Sequence, residues 1–128
     1  MRPDFFLTDV ESRETPVVRA CYVQRIVYIR DSRDGLLVDL DEPILLSAEN
    51  RTLNRVILVN RYSGDSLSQM NGWPINVYVC GLRGKDEVDF DNLLVEEMRV
   101  LFWGQIFKEL QEADNVAATY SNSLRDRQ

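Results

Sequence analysis

An α+β arrangement, with an antiparallel and strongly curved sheet of four to six strands followed by one long C-terminal helix, is what the patterns along these 128 residues predict. Three observations lead there. β-Branched and aromatic residues recur in short runs with a period of two, turn-forming residues separate those runs, and the broadest apolar segment comes late, behind a cluster of acids suited to a helix start. Strands and helices do not alternate, which argues against a parallel βαβ sheet. The length suits a single domain over 1–128.

Residues 1–15 read as an N-terminal arm and 16–90 as the sheet. After Pro16 the chain is loaded with Val, Ile, Tyr and Cys as far as Arg30, which predicts a long central strand, bulged near Gln24. Asp34-Gly35 supplies the positive φ of a tight hairpin, and Leu36 to Leu40 returns antiparallel. Pro43 cannot donate to a ladder, so Ile44 to Ser47 is either a short edge strand or an extended connection. Leu53 to Tyr62 alternates as a strand. The turn-rich stretch Ser63 to Pro74 exceeds an ordinary hairpin loop, and Ile75 to Leu82 resumes the sheet before a turn at Gly81 to Lys85.

Asp89 to Asn92 offers N-cap oxygens, and six acids lie between Asp86 and Glu97, where a helix dipole favours negative charge. A helix over 91–113 follows, with a loose polar tail over 114–128. On a helical wheel Leu93, Val100, Trp103, Phe107 and Leu110 form one stripe, Val95, Phe102, Ile106 and Ala113 a second, and Leu94, Met98 and Leu101 a third. The apolar arc is wider than one sheet face needs. Either the sheet wraps around the helix, or a second copy covers it in a two-fold homodimer through Leu94, Met98, Phe102, Trp103 and Ile106.

Composition narrows the chemistry. The chain has no histidine, so Ser-His-Asp and Cys-His catalysis and histidine zinc motifs are absent. Its net charge of -6 opposes general nucleic-acid coating, although Arg51, Arg55, Arg61, Arg83 and Lys85 leave room for one local basic face. Cys21 and Cys80 lie far from any C-x-x-C spacing and read as buried reduced thiols rather than a disulfide. No apolar run approaches the roughly 18 residues that span a bilayer, and acids interrupt the N-terminal apolar stretch, so the expected setting is the cytoplasm, without membrane contact.

Local motifs fall short of their templates. Glu87 to Met98 fails as a calcium loop because its sixth position is Asn92 and its twelfth Met98. Gly81-Leu82-Arg83-Gly84-Lys85-Asp86 resembles a phosphate-gripping loop, but Asp86 follows the lysine and a strand precedes the motif. Asp39 and Asp41 share a strand face as a metal or acid-base pair would, or form a solvated strand end. Trp73 sits by a flexible turn and is grouped with Arg61, Tyr62 and Arg83 as a ligand or partner loop; an indole among guanidinium groups can stack a planar ligand, or equally plug the core.

The reading that results is a non-catalytic, homodimeric binding or assembly module that takes a protein partner or small ligand, with no catalytic residue, metal or cofactor assigned. Its alternative is a small-molecule-binding fold or carboxylate-based enzyme with a cavity between curved sheet and helix, into which Tyr22, Tyr28, Arg61 or Asp39 reach.

Overall fold

Six antiparallel strands, each hydrogen-bonded to the next in chain order, close into a barrel in a computed structural model that describes residues 2–9, 17–30, 34–62, 67, 72–83 and 88–126, with side chains to 119. The strands are β1 (Phe5–Asp9), β2 (Val18–Tyr28), β3 (Asp34–Leu46), β4 (Arg51–Asn60), β5 (Ile75–Leu82) and β6 (Met98–Phe107). Among the described residues one α-helix, α1 (Leu110–Asp126), follows. No described helix is long and apolar enough to cross a membrane. The turn Asp31 to Arg33, most of the Ser63 to Asn71 loop and the Gly84 to Glu87 motif lie outside the described residues.

Several strands match the expected runs. The bulge in β2 falls between Val23 and Arg25, at Gln24. Pro43 does not end its strand: β3 continues to Leu46 through a register shift between Asp39 and Ile44, which lets a residue without an N–H stay in the sheet. A 3-10 turn (Ser47–Glu49) and the left-handed Asn50, at φ 49°, then lead into β4.

Two differences correct the expected open sheet. The supposed N-terminal arm contains β1, which pairs with both β2 and β6 and closes the barrel through Phe6–Phe107, Leu7–Ile106, Thr8–Gln105 and Asp9–Gly104. Closure pairs the backbone groups that an open sheet leaves on its edges. The supposed helix over 91–113 is instead a turn, a 3-10 segment (Val95–Glu97) and β6. Asp89 does accept from the N–H of Asp91 at 3.0 Å, the chemistry of a cap, but the segment it caps does not continue as helix.

Strand alternation explains the misleading wheel. Phe102, Gly104 and Ile106 face the barrel interior, whereas Met98 and Trp103 face out, and the outward surface is itself partly covered. A strand that carries apolar residues on both faces imitates a helix with a broad arc. The homodimer argument therefore loses its premise: Ile106 is fully buried in the core, Phe102 packs against that core, Met98 packs on the outside of the wall, and Leu94 lies in the connection before β6. They share no face. The true helix occupies what the sequence suggests is a loose tail. It is hard to read because only a narrow stripe docks: Ala113 is fully buried, Val116 and Ala117 are half-buried, and the contacts fall mainly on β1 and β6.

Side chains fill the interior. Leu7, Cys21, Leu36, Val38, Val56, Leu58, Val77, Val79 and Ile106 are among the buried residues of this core, each contributing roughly 1.5–3 kcal/mol for a full aliphatic side chain. A second cluster lies outside the wall, made of Val27, Ile29, Leu37, Ile57, Val59, Cys80 and Leu93. Leu36 to Val38 and Val56 to Val59 are consequently buried without a break.

The β1–β6 seam depends on Gly104, where an added Cβ would come within 2.8 Å of the Thr8 carbonyl oxygen and 3.1 Å of Leu7 Cδ1. Gly104→Ala is expected to cost about 1–3 kcal/mol by overpacking. At Gly72 nothing lies within 4 Å of such a carbon, so Gly72→Ala should stay within about 0.5 kcal/mol of wild type. Urea denaturation checks both, and equal midpoints for the two variants would show that the seam tolerates a side chain.

Candidate functional site

Outward positions along β4 alternate as Arg55, Ile57, Val59 and Arg61, opposite Asp39, Leu37 and Gly35 of β3 at the first three. The connection over 88–97 runs across the middle of this surface as a strap. Its backbone is pinned to the end of β2: Tyr28 N–H donates to the Phe90 carbonyl at 2.8 Å, Leu93 N–H to the Tyr28 carbonyl at 2.9 Å, and Arg30 N–H to the Leu93 carbonyl at 2.7 Å. Arg83 N–H donates to the Glu97 carbonyl at 2.7 Å and fixes its far end to β5. Leu93, with no exposed surface, is the side chain the strap drives into the outer cluster. Arg25 pairs with Asp91 at 2.5 Å and lies 5.6 Å from the Phe90 ring centre.

Beside the strap the wall is left open as a cleft of about 600 Å³. Leu37, Ile57, Cys80 and Leu82 form its apolar floor and Phe90 an aromatic wall, while Asp39, Arg51, Asn54 and Arg55 bring polar groups to its rim. The Arg55 fork grips Asp39 through Nε–Oδ1 at 2.6 Å and Nη2–Oδ2 at 3.2 Å. That hydrogen bond and charge raise the guanidinium pKa above its ordinary value and fix its orientation. Arg51, exposed on the same rim, makes no salt bridge among the described residues. An apolar floor with a few polar groups converging at one edge is the usual form of a small-molecule site.

The residues grouped in the sequence as a ligand loop separate. Arg61 and Tyr62 do meet: the Arg61 guanidinium lies 4.9 Å from the Tyr62 ring, 5.8 Å from Tyr78 and 4.1 Å from Trp103. The indole in that group is Trp103 rather than Trp73, since Trp73 leans on the core side chain Phe5 at 6.0 Å between ring centres. Arg83 lies past the opposite end of β5 from Trp73. Of the basic-face residues, Arg51 and Arg55 reach the cleft, Arg61 belongs to the aromatic cluster, and Lys85 is outside the described residues.

The acids and tyrosines also find other roles. Asp39 serves Arg55, and Asp41 Oδ1 accepts from Ala20 N–H at 2.8 Å. Among the described residues no three His, Cys, Asp or Glu side chains converge as metal ligands would. Tyr28 is exposed, and Tyr22 stands opposite Asp39, whose carboxylate is on the outside with Arg55, so neither enters an internal cavity. The cleft residues Arg51, Arg55 and Phe90 were missed as a group because Phe90 lies in the strap and no local pattern joins it to β4.

No family, curated protein or solved structure matches this chain. What the structure shows is a closed antiparallel barrel with an external, half-apolar cleft.

Both thiols are free and buried. Burial pushes each up to about 12 from an ordinary 9.0, helped at Cys21 by the Asp41 charge. Below pH 9 the thiols are protonated in folded and unfolded chains alike, and the stability they carry is fully present. Above it the unfolded chain ionises first, so stability falls as pH rises from 9 through about 12. At pH 8 a thiol reagent should leave the native protein unlabelled while modifying two cysteines in urea. Prompt native labelling of Cys80 would mean that the cleft floor opens.

Proposed function

We propose that this protein is a non-catalytic binding module whose cleft beside the strap takes a small amphipathic ligand, with the apolar part over Ile57, Leu82 and Phe90 and an anionic head at Arg51. The observation that carries the reading is the convergence of that floor with a rim guanidinium that no described carboxylate pairs. Arg55, locked by Asp39, offers a directed hydrogen-bonding edge with little net charge, and Arg51 supplies the charge.

Two further features support binding over catalysis. The chain contains no histidine, and its two thiols are protonated at neutral pH and enclosed, so neither supplies the general base or nucleophile that acyl or group transfer ordinarily uses. Free buried cysteines also suit a reducing compartment, and the proposal places the protein in the cytoplasm.

The test uses 8-anilinonaphthalene-1-sulfonate, an apolar aromatic body with one sulfonate, followed by its fluorescence. Wild-type protein should bind it in a saturable one-to-one manner, and Arg51→Glu should weaken binding by about tenfold or more, the loss of one charge-assisted contact of roughly 1.5–3 kcal/mol. Arg51 is exposed, so the fold should survive the change. Equal affinity in the variant, or unsaturable binding in both proteins, would overturn the assignment.

A further inference from the structure

Arg19 presents a separate problem at one end of the barrel. It stands opposite Leu7 of β1, and because Leu7 faces the interior Arg19 does too, with only 8% of its surface exposed. Its Nε donates to the Glu42 carbonyl at 3.2 Å, while Nη1 is enclosed and has no hydrogen-bond partner among the described residues. No described carboxylate lies within ion-pair distance of it. Asp41, on the neighbouring strand, directs Oδ1 at the backbone of Ala20 instead, and Asp9 has a partner of its own. The unfilled donor is thus a buried polar group of the kind that ordinarily has a partner.

This side chain lines a pocket of about 510 Å³, separate from the cleft beside the strap and shared with Asp9, Ser47, Glu49, Arg99 and Phe102. We propose that the pocket binds the carboxylate of a small organic acid, with Arg19 as the anchoring donor. With Nε committed to Glu42 and Nη1 enclosed, Nη2 is the donor left to meet a carboxylate oxygen, and Nη1 lies beside it on the edge that a carboxylate pairs with. Arg99, ion-paired with Glu49, puts a second guanidinium on the same lining. Phe102 and Ile44 offer apolar surface to the carbon skeleton of the acid. The acids Asp9 and Glu49 on the same lining set a limit: they oppose a group with two negative charges, which favours a carboxylate over phosphate.

The proposal is independent of the cleft, and its test reads Arg19 itself. Unmodified protein labelled with 15N-arginine is titrated with sodium acetate, against sodium chloride at matched ionic strength, and the Arg19 Nε–H resonance is followed after through-bond assignment to its own backbone. Acetate should shift that resonance saturably, with a Kd on the order of 10 mM for so small a ligand, while chloride should leave it unmoved. In Arg99→Ala the same titration should weaken several-fold. Inorganic phosphate should move the resonance less than acetate does. A resonance that acetate moves no further than chloride would overturn the site, and a larger, saturable response to phosphate would overturn the carboxylate assignment.

Discussion

The unbroken burial of Leu36 to Val38 and Val56 to Val59 means that this stretch of barrel wall is apolar on both faces. The inner face is covered by the other staves. The outer face needs a cover of its own, and the connection between β5 and β6 provides it by crossing the outside of the barrel with Leu93 inserted below. The position of the strap then decides where the surface can be concave. Towards Arg55 it stops short and leaves the cleft; at the other end of the outward row, just past β4, Arg61 covers the wall with its guanidinium stacked among three aromatic rings.

Much of the sheet was legible in the sequence. Alternation located β4 and β5 to within a few residues, and an overlong β-branched run located β2 with its bulge at Gln24. β6 was misread because its apolar residues are not confined to one face. Apolar residues stand on both of its faces although most are only half-buried and Val100 is exposed, so period two disappears and Met98 to Phe107 offers nearly continuous apolar character. Gly104 in its middle was the discordant signal, since an interior glycine costs a helix about 1 kcal/mol while a barrel seam makes use of the space. β1 has five residues and α1 docks through a few small side chains, so neither carries a pattern strong enough to be read alone.

The candidate sites were less legible because they are made by register rather than by motif. Arg55 meets Asp39 only because β3 and β4 pair in one particular alignment, and Phe90 reaches them only because a connection folds back over the wall. Arg19 looks like an ordinary solvated charge in a β-branched run until β1 is placed beside it. Its inward orientation follows from pairing with Leu7 in a strand that the sequence concealed.

Every junction between neighbouring staves but one joins strands that follow each other in the chain. The exception is the seam, where Leu7 meets Ile106 from near the opposite end of the sequence. Hairpins can form in succession with modest loss of chain freedom at each step, whereas the seam encloses nearly the whole polypeptide in one loop. The helix that follows β6 docks across β1 and β6, on either side of that junction. It acts as a clasp: the segment after β6 bears on the two strands whose meeting turns a sheet into a barrel.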